Sequence, residues 1–425
     1  MTDTPQPPRR SSHDLACTPV IRGYMKQWFA RLHERVADGE PYVIAPARTP
    51  HEIMEAFDIP YVSNEWWSGI VAAQRRSGDY FNLLEERGYH SDLARYSALS
   101  FADALQQDDP ERPWGGLPKP AFILYPGAEA DIARVEAQAE AWDVPAISGG
   151  VVPPPARIPH RWWDVSRWMW EDLYDTARID CMVDSYRDII AACEKLTGKR
   201  FDPDRLREIM ERVARQESYF EDARTVMRKA PKVPVSLAEE MGNVMTIQWL
   251  RGSEWALEAA KSYRDEVVDR AAKGIAICPE ERVRLSWNSV GLWQKTSFYR
   301  AFEKSHGAVF LRSMYMSIAC DGYPRYGLGD PLRALASRYA AIVNEIAVPP
   351  ASTEWEIHEA REFRVNGVVT LPNRDHLRFP ETALEGAGIP TLVIPVDAVD
   401  GRSWDEEKIN AMVGEFIETR ALRHV

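Results

Sequence analysis

Glu65 is followed directly by Trp66 and Trp67, and a carboxylate set between two indoles would be poorly hydrated. Loss of hydration disfavours the charged form, so such a group is suited to acid–base work near neutral pH. A solvated loop glutamate beside two packing tryptophans would give the same triplet. His90 stands next to Ser91 and Asp92, and His376 stands next to Asp375. Imidazoles polarise carbonyls, and His with Asp ligates metals where two loops converge; two loop histidines bonded to backbone fit the sequence equally. Cys320, in the glycine-containing run IACDGYPRYG, reads either as a pocket-lining thiol or as a small buried one. GLGD (327–330) precedes a helical pattern and could meet a phosphate, although a single glycine-rich turn does not define a nucleotide site.

These side chains need elements to bring them together, and the chain of 425 residues is long enough for about two or three cores. YVIAP (42–46) and AFILYPG (121–127) read as buried strands, the second followed by a helical pattern and the short strand VPAIS. That is a β-α-β unit, which implies a parallel sheet. Before it, the spacing of Val20, Ile21, Tyr24, Trp28, Leu32 and Val36 predicts a helix, and Thr49-Pro50 marks the start of another. From Trp162 to about Lys273 nearly every pattern is helical, with Asp202 or Asp204 able to cap one long helix. A second α/β block follows, with strands RVRLSWNSV, AVFLRSMYM, VNGVVTLP and IPTLVIPV. TSFYRAFEKSHG, DPLRALASRYAAIVNEIA and DEEKINAMVGEFIETRAL read as its helices. The expected fold is therefore α/β, two parallel-sheet lobes joined by a long helical middle segment. The divisions are an N-terminal arm and helix (1–40), a first lobe (41–160), the helical segment (161–280) and a second lobe (281–425).

A net charge of −12 argues against nucleic acid or an anionic membrane surface as the main partner. The five cysteines are odd in number and scattered, with no CxxC pair, which disfavours a zinc ribbon and a disulfide framework. With no apolar leader at the start and no 18-residue apolar run, the expected compartment is the cytoplasm. RWWDVSRWMWEDLY (161–174) places Trp162, Trp163, Trp168 and Trp170 on more than one helical face. A subunit interface is the preferred reading, the alternative being a helix held between two lobes.

Several segments together resemble the B-type subunits of the 2-hydroxyacyl-CoA dehydratase and benzoyl-CoA reductase family. They are PHEIMEAFDIPYVSNEWW (50–67), RRSGDYFNLLEERGYHSDLARYS (75–97), KPAFILYPGAEADIARVEAQAEAWDVPAI (119–147), KLTGKRFDPDRLREIM (195–210) and HGAVFLRSMYMSIACDGYPRYGLGDPLRALASRY (306–339). The resemblance covers about residues 40–420. It implies paired subunits that hold [4Fe-4S] clusters, receive an electron from an ATP-driven activator and act on acyl-CoA thioesters. It also implies an acidic residue near the substrate, at the place of Glu65.

The departure from the family is as informative as the match. Ala94 and Ala128 stand where two cluster cysteines would fall, and Asp375 or His376 where the third would. Alanine cannot ligate iron. The expectation is a subunit of a heteromeric acyl-CoA-processing enzyme (dehydratase, hydratase or reductase-like) with no cofactor or metal of its own. A [4Fe-4S] cluster would then sit only in a homologous partner, with a homodimer as the alternative assembly. Glu65, His90 and His376 would be the catalytic groups, and Trp66, Trp67 and Cys320 would bind substrate. The competing reading is a non-catalytic subunit that scaffolds a cluster-bearing partner.

Overall fold

A computed structural model describes residues 14–89, 95–125, 129–150, 158–316, 329–342, 346, 348–372 and 378–424. The first sheet contains β1 (Val43–Ile44), β2 (Tyr61–Val62), β3 (Phe122–Tyr125) and β4 (Ala146–Ser148), in the order β2-β1-β3-β4. All its pairings are parallel, with Val43 opposite both Tyr61 and Phe122. Strands covered on both faces read as unbroken apolar runs rather than alternating ones, which is why YVIA and FIL stand out in the sequence.

Helices α2 (His51–Ala56), α3 (Asn64–Ala73), α4 (Ser77–Glu86), α5 (Arg95–Ala104) and α6 (Glu129–Trp142) complete this lobe. Helix α1 (Cys17–Ala37) precedes it. The start of α1 is held by carboxylates of the helical segment. Glu239 accepts from Leu15 N–H at 3.1 Å and Glu266 from Cys17 N–H at 3.0 Å. Negative charge at a helix N-terminus is favourable, and here it fastens α1 to the middle of the chain.

That middle is helical as expected: α7 (Trp162–Ser166), α8 (Trp170–Leu173), α9 (Thr176–Thr197), α10 (Pro203–Lys229), α11 (Leu237–Gln248) and α12 (Glu254–Ala272). Asp202 caps α10, accepting from Asp204 and Arg205 N–H, with Pro203 in the first turn. The tryptophan-rich run divides. Trp162 and Trp170 are buried, and Trp162 Nε1 donates to Ala351 O at 3.2 Å. Trp162 is therefore core, and the interface reading is corrected for it. Trp168 is 65% exposed and Met169 54% exposed.

The second sheet repeats the parallel arrangement in the order β6-β5-β7-β8, with β5 (Val283–Trp287), β6 (Ala308–Ser313), β7 (Gly367–Thr370) and β8 (Thr391–Val393). The register of β5 and β6 slips between Leu285 and Ser286, a bulge that pairs Ser286 with Arg312. The helix expected over TSFYRAFEKSH is instead a 3-10 segment, Trp293–Arg300, broken at Lys295, followed by α13 (Glu303–His306). Tyr299 Oη accepts from Leu292 N–H at 3.0 Å, and Gln294 donates to Asp397 O at 2.6 Å. These contacts take the chain out of α-helical register. Among the described residues no helix is long and apolar enough to cross a membrane.

Candidate functional site at the lobe junction

Parallel α/β sheets gather ligands beyond the carboxyl ends of their strands. At the first sheet, β1 runs out through Ala45, Pro46 and Ala47, while β2 runs out to Ser63, which caps α3. Glu65 lies in the first turn of α3, where a negative side chain meets the positive end of the helix. Its Oε2 accepts from Ala47 N–H at 2.9 Å and from the Ser63 hydroxyl at 2.5 Å. One carboxylate oxygen thus ties the loop after β1 to the loop after β2. The other, Oε1, has no hydrogen-bond donor among the described residues.

The loop after β1 is fixed from behind. His51 Nε2 reaches Ala45 O at 2.8 Å and Pro46 O at 3.0 Å, and the Thr49 hydroxyl donates to Pro46 O at 2.6 Å. Burial, with the nearby Arg251 charge, holds the His51 pKa down at about 3, so the ring is neutral. Arg251 donates to Thr49 O at 3.0 Å, to Glu52 Oε1 at 3.1 Å and to the Tyr339 hydroxyl. Tyr339 in turn donates to Glu52 at 2.8 Å, and Arg338 lies 3.7 Å from Glu52 while pairing with Glu217. Burial alone would raise the Glu52 pKa. The Arg251 and Arg338 guanidiniums outweigh it and hold the group at about 2.

Facing Glu65 is a group of polar rings from distant parts of the chain. Tyr96 of α5 and Tyr315, just past β6, place their hydroxyls 2.9 Å apart. Trp293 Nε1 donates to Tyr96 Oη at 2.9 Å. Gly69, one turn along α3 from Glu65, lies against the Trp293 indole; a Cβ there would be 3.6 Å from the ring. Burial raises the pKa of both phenols. The bond to Tyr96 adds to this for Tyr315, and the negative charge of Glu65 adds to it for both. Glu65, Tyr96 and Trp293 are each only partly buried, so the junction opens to solvent on one side.

Trp66 and Trp67 are not walls of this opening. Trp67 is wholly buried and Trp66 nearly so, packed with Phe29. At about 100° per residue, the two positions after Glu65 swing towards α1. The desolvation expected from flanking indoles is therefore not what surrounds this carboxylate. His90, Cys320 and His376 lie outside the described residues, as do Ala94, Ala128 and Asp375. Gly329 and Asp330 are described, and Asp330 caps the helix Pro331–Ala340 by accepting from Leu332 N–H at 2.9 Å. Tyr96, Tyr315, Trp293 and the His51–Arg251 support were not singled out from sequence. Their only sequence signal was that Tyr96, Tyr315 and His51 fall inside segments that resemble the family.

The equivalent edge of the second sheet is built differently. Asn288, just after β5, donates to Glu356 Oε2 at 2.7 Å, and Arg312 Nη1 reaches Ser286 Oγ and Asn288 Oδ1, both at 3.0 Å. Thr370, at the end of β7, donates to Asn288 O at 2.6 Å. Glu359 pairs with Arg224, and Arg312 lies 3.9 Å from it. Burial raises the Glu356 pKa to about 7, with Arg312 opposing and Glu381 adding to the rise.

A [4Fe-4S] group requires thiolate ligands. The segments 90–94, 126–128 and 373–377 contain no cysteine. Of the described cysteines, Cys17 lies against Asn243, Cys193 against Met54 and Cys278 against Glu303 O, while Cys181 is exposed. Burial pushes the Cys193 thiol up to about 12 and raises Cys17 and Cys278 as well. Thiols scattered in this way do not fit the group. Among the described residues no three His, Cys, Asp or Glu side chains are placed to hold a metal ion.

Residues 46–419 match the family described as 2-hydroxyglutaryl-CoA dehydratase, D-component. The chain belongs to that family. Among its relatives is the (R)-2-hydroxyisocaproyl-CoA dehydratase alpha subunit of Clostridioides difficile, 21% identical over 410 residues, covering 94% of this chain and 95% of that one. Another is the (R)-phenyllactyl-CoA dehydratase alpha subunit of Clostridium sporogenes, 22% identical over 387 residues and 88% of each chain. Within the dehydratase D-component family match fall β2 to β4 of the first sheet, the whole second sheet, Glu65, Tyr96, Trp293, Tyr315 and the three cysteine-free segments, while β1 lies just before it.

Proposed function

We propose that this chain is one subunit of a heteromeric enzyme that acts on a 2-hydroxyacyl-CoA thioester, with Glu65 moving the proton and with no cluster carried by the chain itself. The observation that carries the reading is the one-sided clamp on Glu65. Two donors fix Oε2 at the carboxyl ends of β1 and β2, and Oε1 of this partly exposed residue meets no donor among the described residues. A carboxylate held this way has a fixed direction and a free lone pair, the two requirements of a general base.

Loss of water from a 2-hydroxyacyl thioester breaks the C2–O and C3–H bonds, forms the C2–C3 double bond and releases hydroxide and a proton as water. In this reading Glu65 takes the C3 proton and returns it to the departing hydroxyl. His90 and His376 remain the further candidates for hydrogen bonds to the substrate, and Cys320 for its binding. Any electron for the reaction comes from a homologous, cluster-bearing partner. The relatives are named as alpha subunits, which supports an assembly of more than one kind of chain.

Glu65→Gln preserves shape and removes the titrating group. Turnover of the assembled enzyme is expected to fall about a hundredfold or more. Anaerobic purification of the chain alone, with iron analysis, is expected to give a colourless protein. Unchanged turnover in the Gln variant would favour the second reading, a scaffold for an active partner, to which the cysteine-free segments also point. About four irons per chain would overturn the cluster-free assignment.

A further inference from the structure

We infer that the Tyr96–Tyr315 hydroxyl pair is the hydrogen-bond donor to the thioester carbonyl oxygen, across the junction from Glu65. The inference rests on the reading of the chain as an acyl-CoA enzyme subunit and names the group that would receive the carbonyl.

The argument is a count of hydrogens. Two phenols carry two hydroxyl hydrogens, and each oxygen can donate one and accept others. Trp293 Nε1 already donates to Tyr96 Oη at 2.9 Å. The contact between the two phenols, also 2.9 Å, consumes one hydroxyl hydrogen whichever way it points. The other has no acceptor among the described residues. It belongs to Tyr315 if Tyr96 donates to it, and to Tyr96 if the direction is reversed. The pair is partly buried, so a ligand that displaces solvent from this hydroxyl must offer it an acceptor or lose about 1–3 kcal/mol, which favours an oxygen at this place. The chain from Trp293 through one phenol to the other also polarises the terminal hydroxyl, which strengthens the bond it makes.

The charge nearby selects the kind of acceptor. Glu65 acts on both phenols, and its negative charge would oppose a carboxylate or phosphate brought to the same place. An uncharged carbonyl meets no such opposition. The rings of Trp293, Tyr96 and Tyr315, set edge-to-face with centroids 6.3 and 6.5 Å apart, offer an apolar surface for the carbon chain attached to it. The pair also joins the lobes: Tyr96 belongs to the first, Trp293 and Tyr315 to the second. A carbonyl bound there would hold its C3 hydrogen towards the free side of Glu65.

The test compares hexanoyl-CoA with hexyl-CoA, the thioether that lacks only the carbonyl oxygen, by calorimetric titration of the full chain with whatever partner co-purifies. The wild type is expected to bind the thioester roughly tenfold more tightly, as one good hydrogen bond would give. Tyr315→Phe and Tyr96→Phe are expected to lose that preference while binding the thioether as before. Glu65→Gln is expected to keep it. Should Tyr315→Phe fail to fold, the less buried Tyr96→Phe decides the matter. Binding of the thioester with no preference over the thioether, or a preference that survives both Phe substitutions, overturns the inference alone. Failure of the wild type to bind either ligand overturns the acyl-CoA reading on which it rests.

Discussion

The carboxyl edges of the two sheets occupy equivalent places in their lobes and hold their acidic side chains in opposite ways. At the first, Glu65 is anchored by a backbone N–H and a hydroxyl, stays partly open to solvent, and has a buried arginine cluster behind the loop rather than beside the carboxylate. At the second, Glu356 is buried on the inner side of its own helix, Ala351–Glu362, and Arg312 lies in the same polar cluster. Strand topology says where a site can be, and the placement of the counter-charge decides whether the edge is left available. Arg251 neutralises Glu52 deep in the protein and uses its remaining donors on the Ala47–Thr49 backbone, so Glu65 is positioned with no ion-pair partner among the described residues. Arg312 reaches the side chains at its own edge and closes it.

The largest effect that would break this contrast is expected from Arg251→Ala. The substitution leaves Glu52 buried beside only Arg338, and removal of one partner from a buried pair costs about 3–5 kcal/mol. Urea denaturation should show that loss together with reduced turnover, because the Ala47 N–H loses its support. A change below about 1 kcal/mol would mean that the first edge does not depend on the cluster behind it.

Glu356→Gln sharpens the other side. A carboxyl whose folded pKa is raised to about 7 from an ordinary 4.5 contributes stability that is full below pH 4.5 and lost as the pH rises through 7. At about 1.4 kcal/mol per unit this amounts to on the order of 3 kcal/mol. Stability measured at pH 5 and pH 7.5 should differ less in the Gln variant than in the wild type by roughly that amount. Equal differences would place an ionised, fully paired glutamate at the second edge, as at Glu52.

The smallest effect is expected from the exposed aromatic far from either edge. Trp168→Ala should leave folding stability within about 0.5 kcal/mol, whereas Trp162→Ala should cost about 3–5 kcal/mol. A thermal melt of each variant separates the two, and similar losses would mean that Trp168 is held by packing after all.

The fold was legible where burial is two-sided. β1, β3, β5 and β6 announce themselves as apolar runs, and α10 by Asp202 and Pro203 at its start. Tyr61–Val62 was too short to stand out as a strand, and the break at Lys295 is imposed by the Tyr299 hydroxyl and the Asp397 backbone carbonyl, contacts that no local pattern records. The site was legible in part. Glu65 could be singled out, but for the wrong neighbours: the tryptophans beside it in sequence turn into the core. The groups that face it are Tyr96 and Tyr315, whose hydroxyls meet across 219 positions of chain. Spacing within a sequence carries no trace of such a pair.

The Glu52–Arg251–Tyr339 and Arg338–Glu217 contacts have a mechanical meaning. They bolt α2, α10 and the helix Pro331–Ala340 into one joint. To pull these helices apart would strand several charges in apolar surroundings at once, each worth several kcal/mol. The joint behaves as a weld and not as a hinge. Through Arg251 the same joint holds the Ala47–Thr49 loop, so the direction of the Glu65 carboxylate is set at folding, before any ligand arrives.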